Sequence, residues 1–493
     1  METNNIEPVQ SQEPTLKEKT AKGLFWGGFS NFVQQVIGAI FGIAIARILS
    51  PDDYGLVGML AIFTAVANTL MDSGFSTALV NRKIIKHDDY NAVFWFSIFS
   101  AIILYIILFF SAPFIAEFYK QPVLVPLSRL LFLSFVFSSL GIAHNAFLLK
   151  NIMAKQRGII DLSAVICSGI IGIILALNGF VFWGIAIQII TQTLVASILR
   201  WHFSSWKPNF KIKFYPLAEM FGFGSKILIT NIIAQSTANI LSVVFGRNYG
   251  KEITGYYSQG NKWASLGTTV MNGMISSVAQ PVLVNVVDEP ERLVNVFRKM
   301  IRFGAFISFP CMFGLAFVGR EFILITVGEK WLESVFFLQI FCLWGGFSFL
   351  WVLYSNLLLS LQKSDTYMWG IFFISILQIC IVLILMSIDI KITTIAFVSI
   401  YFVGLSFFHY HIHKLIGLRL WDIIKDISPY LIITGISILF ALSVVRLIDY
   451  NFYLIFFVKM IIVAVIYVSI MAKSKSIIFQ ESVSYLKRFW GTT

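Results

Sequence analysis

The sequence predicts an all-α, polytopic membrane protein. About fourteen transmembrane helices are expected, as two pseudo-symmetric six-helix bundles with two further helices at the C-terminal end. Three observations predict it. Hydrophobic residues make up 58% of the 493-residue chain and charged residues only 13%, against about 25% charged in an ordinary globular domain. Apolar runs near the roughly 20 residues that a bilayer core requires recur from end to end. The chain also aligns with itself, without gaps, at an offset of 200. Lipid then dictates helices, because backbone groups find no water there and must pair within their own segment.

The first 23 residues, ending TLKEKTAKG, are polar and read as a cytoplasmic tail, with the first span acting as an uncleaved targeting signal. Spans follow at 24–49, 55–80, 92–116, 127–149, 159–177 and 180–199 in a first bundle (24–205). Those at 217–245, 254–287, 303–319, 335–361, 367–388 and 392–413 form a second (206–414). Two more, 429–448 and 454–472, lie in 415–472, before a C-terminal tail (473–493). The 254–287 segment is long and polar for a span, and only ALNGF divides 159–199. The segment 288–304 reads as a short amphipathic cytoplasmic connector, and the tail stretch SIIFQESVSYLKRFW has the mixed apolar and basic character of an interfacial helix on the inner surface.

An even number of spans puts both termini on one side. With that side cytoplasmic, most lysines and arginines fall in inside connections, as the positive-inside rule requires. The net charge of +12 is therefore an orientation signal and a contact with anionic membrane lipid, not a nucleic-acid footprint. Four cysteines, Cys167, Cys311, Cys342 and Cys380, stand singly inside apolar runs. Without a CxxC spacing they read as small apolar fillers. No phosphate loop, HExxH or Ser/His/Asp arrangement sits on a plausible loop, so no cofactor, metal or nucleotide is expected. His409, His411 and His413 mark the end of a span and not a metal site.

The repeat is carried by polar positions, which rarely coincide by chance in apolar segments. Asn31 meets Asn231, Gln35 meets Gln235, Arg47 meets Arg247, Asp52 meets Glu252, Gly55 meets Gly255 and Asp72 meets Asn272. An offset of six spans keeps orientation, so this is a parallel repeat about an axis along the membrane normal. Transporters place substrates between such halves. On the first span, Asn31, Gln35, Gly38 and Gly42 share about 60° of arc, and on the seventh Asn231, Gln235, Asn239 and Ser242 share about 80°. Each stripe reads equally as a cavity wall or as close helix packing. Charges inside spans are candidate functional groups: Lys226, Lys262, Arg129, Lys459 and the acid Asp72. Snorkelling to the interface accounts for Arg129 and Lys459, but not for the short Asp72.

The stretch KGLFWGGFSNFVQQVIGAIFGIAIARILSPDDYGLVGMLAIFTAVANTLMDSGFSTALVNRK (22–83) and GYYSQGNKW (255–263) carry a resemblance. They are similar to bacterial polysaccharide flippases of the O-antigen or colanic-acid type, in the multidrug/oligosaccharidyl-lipid/polysaccharide exporter superfamily. The resemblance is strong over about 20–290 and mostly hydropathic beyond. It implies fourteen helices, residence in a bacterial inner membrane, and flipping of an undecaprenyl-diphosphate-linked oligosaccharide to the outer leaflet by alternating access. It also implies an ion gradient as driving force, and polysaccharide polymerase or export machinery as partners. On that reading the cavity candidates are Asn31, Gln35, Arg47, Lys226, Asn231, Gln235 and Lys262. The ion-coupling candidate is Asp72. Arg47, Asp52, Arg247 and Glu252 are candidates for an outer gate between the two repeated clusters. The alternatives are a drug or cation antiporter of the same superfamily, disfavoured by the scarcity of intramembrane acids, and a membrane-embedded polysaccharide polymerase, disfavoured by the short loops.

Overall fold

In the computed structural model the described residues are 16–72, 79, 85–211, 215–446, 451–474, 476, 478–481 and 483–484. Regular structure among them is helical throughout. Twelve helices are long and apolar enough to cross a membrane, or thirteen when the bent pair Leu124–Ser139 and Ile142–Lys150, which turns by 41°, is taken as one span. The chain is a multi-pass membrane protein. The segment expected as a span at 254–287 is helical too, but it is a 36-residue helix too polar to pass that test.

The first span is α1 (Leu16–Ile48), and the second is split into α2 (Pro51–Met59) and α3 (Ala61–Asp72). Next come α4 (His87–Tyr119) and the broken run α5 (Leu124–Leu131), α6 (Leu133–Ser139) and α7 (Ile142–Lys150). The first half closes with α8 (Ala154–Leu177) and α9 (Val181–Phe203). The second half opens on α10 (Tyr215–Ala238) and α11 (Ile240–Asn248), then the long α12 (Gly250–Asn285), α13 (Pro290–Phe317) and the short α14 (Gly319–Thr326). It continues through α15 (Ser334–Ser360), α16 (Ser364–Leu385) and α17 (Ile390–Ile416), followed by α18 (Leu420–Val445) and α19 (Phe452–Lys473).

Local chemistry sets several of these boundaries. Ser50 caps α2: its hydroxyl accepts from the Asp53 N–H at 3.4 Å, and Asp53 Oδ2 accepts from the Ser50 N–H at 2.9 Å. Pro51 takes the first helical position, where no N–H is needed. The Asp389 carboxylate caps α17 through the N–H groups of Lys391 and Ile392. Gly417, at φ +70°, ends it in the left-handed region.

Helix α1 starts at Leu16, inside the segment expected as a cytoplasmic tail, and its apolar part begins at Ser30; residues 1–15 lie outside the description. The 288–304 connector forms no break before the span expected at 303–319 but is the first half of α13, unbroken from Pro290. Two of its basic residues turn inward: Arg298 Nε lies 2.7 Å and Arg302 Nε 2.9 Å from the Asp426 carboxylate of α18. The adjacent Lys299 reaches Glu481 at 2.7 Å, tying the described part of the C-terminal segment to the same helix.

Within the first half α1 packs on α8, and α8 on α9; within the second, α12 and α13 pack on α15, and α16 on α17. Helices α18 and α19 pack on each other, and α18 lies against α13. Between the halves the dominant contact is α2 against α12, with α1 also touching α12. Helix α10 crosses to α3 and α4, and α11 to α2, α3 and α4.

Candidate functional site

The two repeated clusters meet. Helix α2 approaches the start of α12 so closely that neither contact position tolerates a side chain. A Cβ built on Gly55 falls 1.7 Å from the Lys251 carbonyl oxygen, and one on Gly255 falls 2.0 Å from that of Pro51. Positions 51 and 251, like 55 and 255, are equivalent in the repeat, so the contact is reciprocal and lies on the pseudo-twofold axis. One turn further, a Cβ on Gly58 lies 2.5 Å from Ser258 Oγ. At 55 and 255 only glycine permits such backbone contact, whereas Gly58 faces side-chain atoms.

The arginines cross the same seam. Arg47 ends α1, and its guanidinium donates to the carbonyls of Thr326 (2.7 Å) and Ile325 at the end of α14. Arg247 ends α11, donates to the Phe118 carbonyl at the end of α4, and lies 5.2 Å over the Phe118 ring. Each cation thus binds carbonyls at a helix C-terminus of the opposite half, where the helix dipole favours positive charge. Two bonds reinforce the first crossing. Trp331 Nε1 donates to the Ala46 carbonyl at 2.9 Å and Lys330 Nζ to that of Arg47 at 2.8 Å. Partial burial lowers the pKa of Lys330 from the ordinary lysine value, with Asp53 acting in the opposite sense.

The expected gate residues therefore gather at one end, but with other partners. Asp52 pairs with Lys251 across the seam at 2.9 Å, and not with an arginine. Glu252 stays within α12 and accepts from the Tyr256 hydroxyl at 3.0 Å. Sequence reasoning missed Lys251, Lys330, Trp331 and the α14 carbonyls. A backbone acceptor leaves no mark in a sequence, and Lys251 was hidden because its repeat partner is Pro51.

Away from this rim the spacing between α1 and α12 widens. A Cβ on Gly42 meets Lys262 Nζ at 2.8 Å, whereas one on Gly38, a turn further, meets nothing within 4 Å. Asn31, on the same stripe, is exposed, as are Ser265 and Thr269 on α12. Gln35 is half-buried. Lys262 sits at the apex of this wedge, its ammonium 5.7 Å from the Tyr54 ring centroid. Among the described residues it pairs with no carboxylate. The other interhalf face stays in contact, since α10 packs on α3 and α4. There an apolar cavity of about 400 Å³ is lined by Ile62, Phe63, Val66, Leu104, Leu108 and Val243, among others. Asn231 and Gln235 on α10 are exposed. The side chains of Asp72 and Lys226 lie outside the described residues.

The remaining intramembrane charges are packed. Arg129 stands 4.1 Å over the Phe109 ring. Lys459 does not snorkel: its ammonium is 2.9 Å from Glu321 Oε1, each side chain 11% exposed. Inside the second half, a cavity of about 240 Å³ is lined by neutral groups, among them Thr237, Asn272, Ser348, Ser375, Gln378 and Tyr401. Apart from Asn272, the repeat partner of Asp72, these stand isolated in apolar runs and gave no sequence signal.

Comparison with known proteins places this geometry. A family model described as polysaccharide biosynthesis protein matches residues 44–336. The lipopolysaccharide biosynthesis protein WzxC of Escherichia coli (strain K12) is 26% identical over 337 residues, covering 67% of this chain and 68% of that protein. The teichuronic acid biosynthesis protein TuaB of Bacillus subtilis (strain 168) is 26% identical over 338 residues, 67% of this chain and 69% of the relative. Among solved structures, the lipid II flippase MurJ in an inward closed conformation superposes with a TM-score of 0.73 at 14% identity, covering 92% of this chain and 100% of MurJ. An inward-facing multidrug resistance MATE family transporter of the MOP superfamily gives 0.62 at 12% identity, over 79% and 98%. The fold is shared with both.

Proposed function

Because this chain belongs to the polysaccharide biosynthesis protein family, we propose that it is a flippase that carries a polyprenyl-diphosphate-linked oligosaccharide across a bacterial inner membrane. It does so by alternating access between two lobes, 24–205 and 206–414, with both termini cytoplasmic. Its fold-sharing and family relatives include proteins named for lipid II flipping and for lipopolysaccharide and teichuronic acid biosynthesis.

One observation carries the reading: the Lys262 ammonium, which pairs with no carboxylate among the described residues, at the apex of a wedge that is shut at one end and open along α1 and α12. A diphosphate and its sugars are costly in hydrocarbon, while the polyprenyl tail is not. A wedge open on one side admits the head group and leaves the tail in lipid. An ammonium already held between the halves offsets the cost of the diphosphate charge. Asn31, Gln35, Asn231 and Gln235 are the candidate hydrogen-bonding groups along the route, and Lys226 is the candidate for a second cation. Asp72 is the candidate for ion coupling. With the basic connections inside, the shut rim faces outward and the wedge faces the cytoplasm. Delivery to a polysaccharide polymerase or export complex would follow on the outer leaflet.

Deleting the gene and analysing the lipids tests this. The reading expects a complete lipid-linked repeat unit to accumulate on the cytoplasmic leaflet. Unchanged surface glycan with altered drug sensitivity would favour the antiporter instead.

A further inference from the structure

The repeat leaves out α18 and α19, yet a buried ion pair joins them to the rim. Lys459 of α19 points its ammonium at Glu321 of α14 (2.9 Å) and lies 4.7 Å over the Phe317 ring. Both residues are under a tenth exposed. Glu321 opens the same eight-residue helix whose last carbonyls, Ile325 and Thr326, receive Arg47. Just beyond, Lys330 and Trp331 donate to the backbone of 46–47. Helix α14 thus has one end fixed by α19 and the other holding the opposite half. A helix so short transmits a shift at one end as a rigid body.

We propose that the Glu321–Lys459 pair is a positioning device through which the two C-terminal helices set how firmly Arg47 latches the rim. Removing Lys459 leaves a carboxylate buried without its cation, and a buried unpaired charge drives its segment toward water. Helix α14 would then carry the Ile325 and Thr326 carbonyls away from Arg47. Coupling of this kind is reciprocal: closing the rim must in turn strengthen the pair. The proposal rests on the alternating-access reading and adds a regulator to that site.

The test uses cross-linking, which needs no substrate, so it can fail or succeed independently of the transport assay. In the full-length protein lacking its four native cysteines, cysteines are placed at Gly58 and Ser258. Their Cβ positions lie 3.6 Å apart, within disulfide range. Lys459→Met should slow disulfide formation at least fivefold, and adding Glu321→Gln, which removes the stranded charge, should restore most of the rate. A parental rate in Lys459→Met would overturn the proposal. Should that variant fold poorly, the reciprocal measurement decides with Lys459 intact. Acylation of Lys459 by a membrane-permeant amine reagent, read by mass spectrometry, should be at least fivefold slower with the disulfide closed than with it reduced. Equal acylation rates would overturn the proposal equally.

Discussion

The segments 46–55 and 246–255 make the same contacts in two respects and differ in a third. Gly55 and Gly255 each lie on the other's helix backbone, and Arg47 and Arg247 each reach carbonyls at a helix end of the opposite half. The charge pair, however, exists once. Asp52 finds Lys251, but the equivalent partner for Glu252 is Pro51, which begins α2 and carries no charge. Deeper in, Lys262 has Ile62 as its counterpart, which lines the apolar cavity on the other face. Symmetry is kept where the halves touch backbone to backbone and given up where a charge is placed. The contact between the halves is thus a steric and hydrogen-bonding property of the repeat, while the proposed recognition rests on one side.

Breaking the symmetric part should have the largest effect. Gly55→Ala or Gly255→Ala puts a methyl group into a carbonyl that belongs to a helix and cannot step aside. Overpacking of this kind costs about 1–3 kcal/mol, a shift of roughly 5–150-fold in the closed population. Both variants should lose most 58–258 cross-linking and most export, equally; a large inequality would break the reciprocity. Next comes the asymmetric charge. Lys262→Met should reduce export about tenfold or more, the scale of one charged hydrogen bond, with rim cross-linking unchanged. Ile62→Lys should not rescue it, because that position faces the apolar side. Rescue would mean the two faces are interchangeable.

Arg47→Gln and Arg247→Gln sharpen the comparison at an intermediate scale. Both guanidinium groups are exposed, so losses of about two- to fivefold in cross-linking rate are expected after solvent screening. Arg47 should lose more, because it holds two carbonyls rather than one. The smallest effect belongs to Lys251→Ala. A part-exposed pair contributes at most about 1 kcal/mol, and its loss should shrink further at high salt, as a salt titration of the cross-linking rate would read.

Much of this was legible in the residues. Apolar run length placed the helices, including the polar one at 250–285 as a doubtful span, and the coincidence of Arg47, Gly55, Arg247 and Gly255 located the seam. Partners were less legible, for physical reasons. Charge pairing led the arginines toward Asp52 and Glu252, whereas helix-end carbonyls compete for a guanidinium without any side chain to announce them. Glu321 lay in a segment read as a loop, so Lys459 was left without a partner and read as snorkelling. The basic stretch from Pro290 looked like a solvated connector because its ion partner, Asp426, lies more than a hundred residues away. The widening between Gly42 and Gly38 depends on helix tilt, which a one-helix stripe cannot encode.

The central claim is that this rim must part for the substrate to cross. The direct measurement is export in cells carrying the Gly58→Cys/Ser258→Cys protein without its native cysteines, before and after oxidation. The account predicts that oxidation stops export, with lipid-linked oligosaccharide retained on the cytoplasmic leaflet, and that reduction restores it. Full export through a protein shown to be quantitatively cross-linked would contradict it.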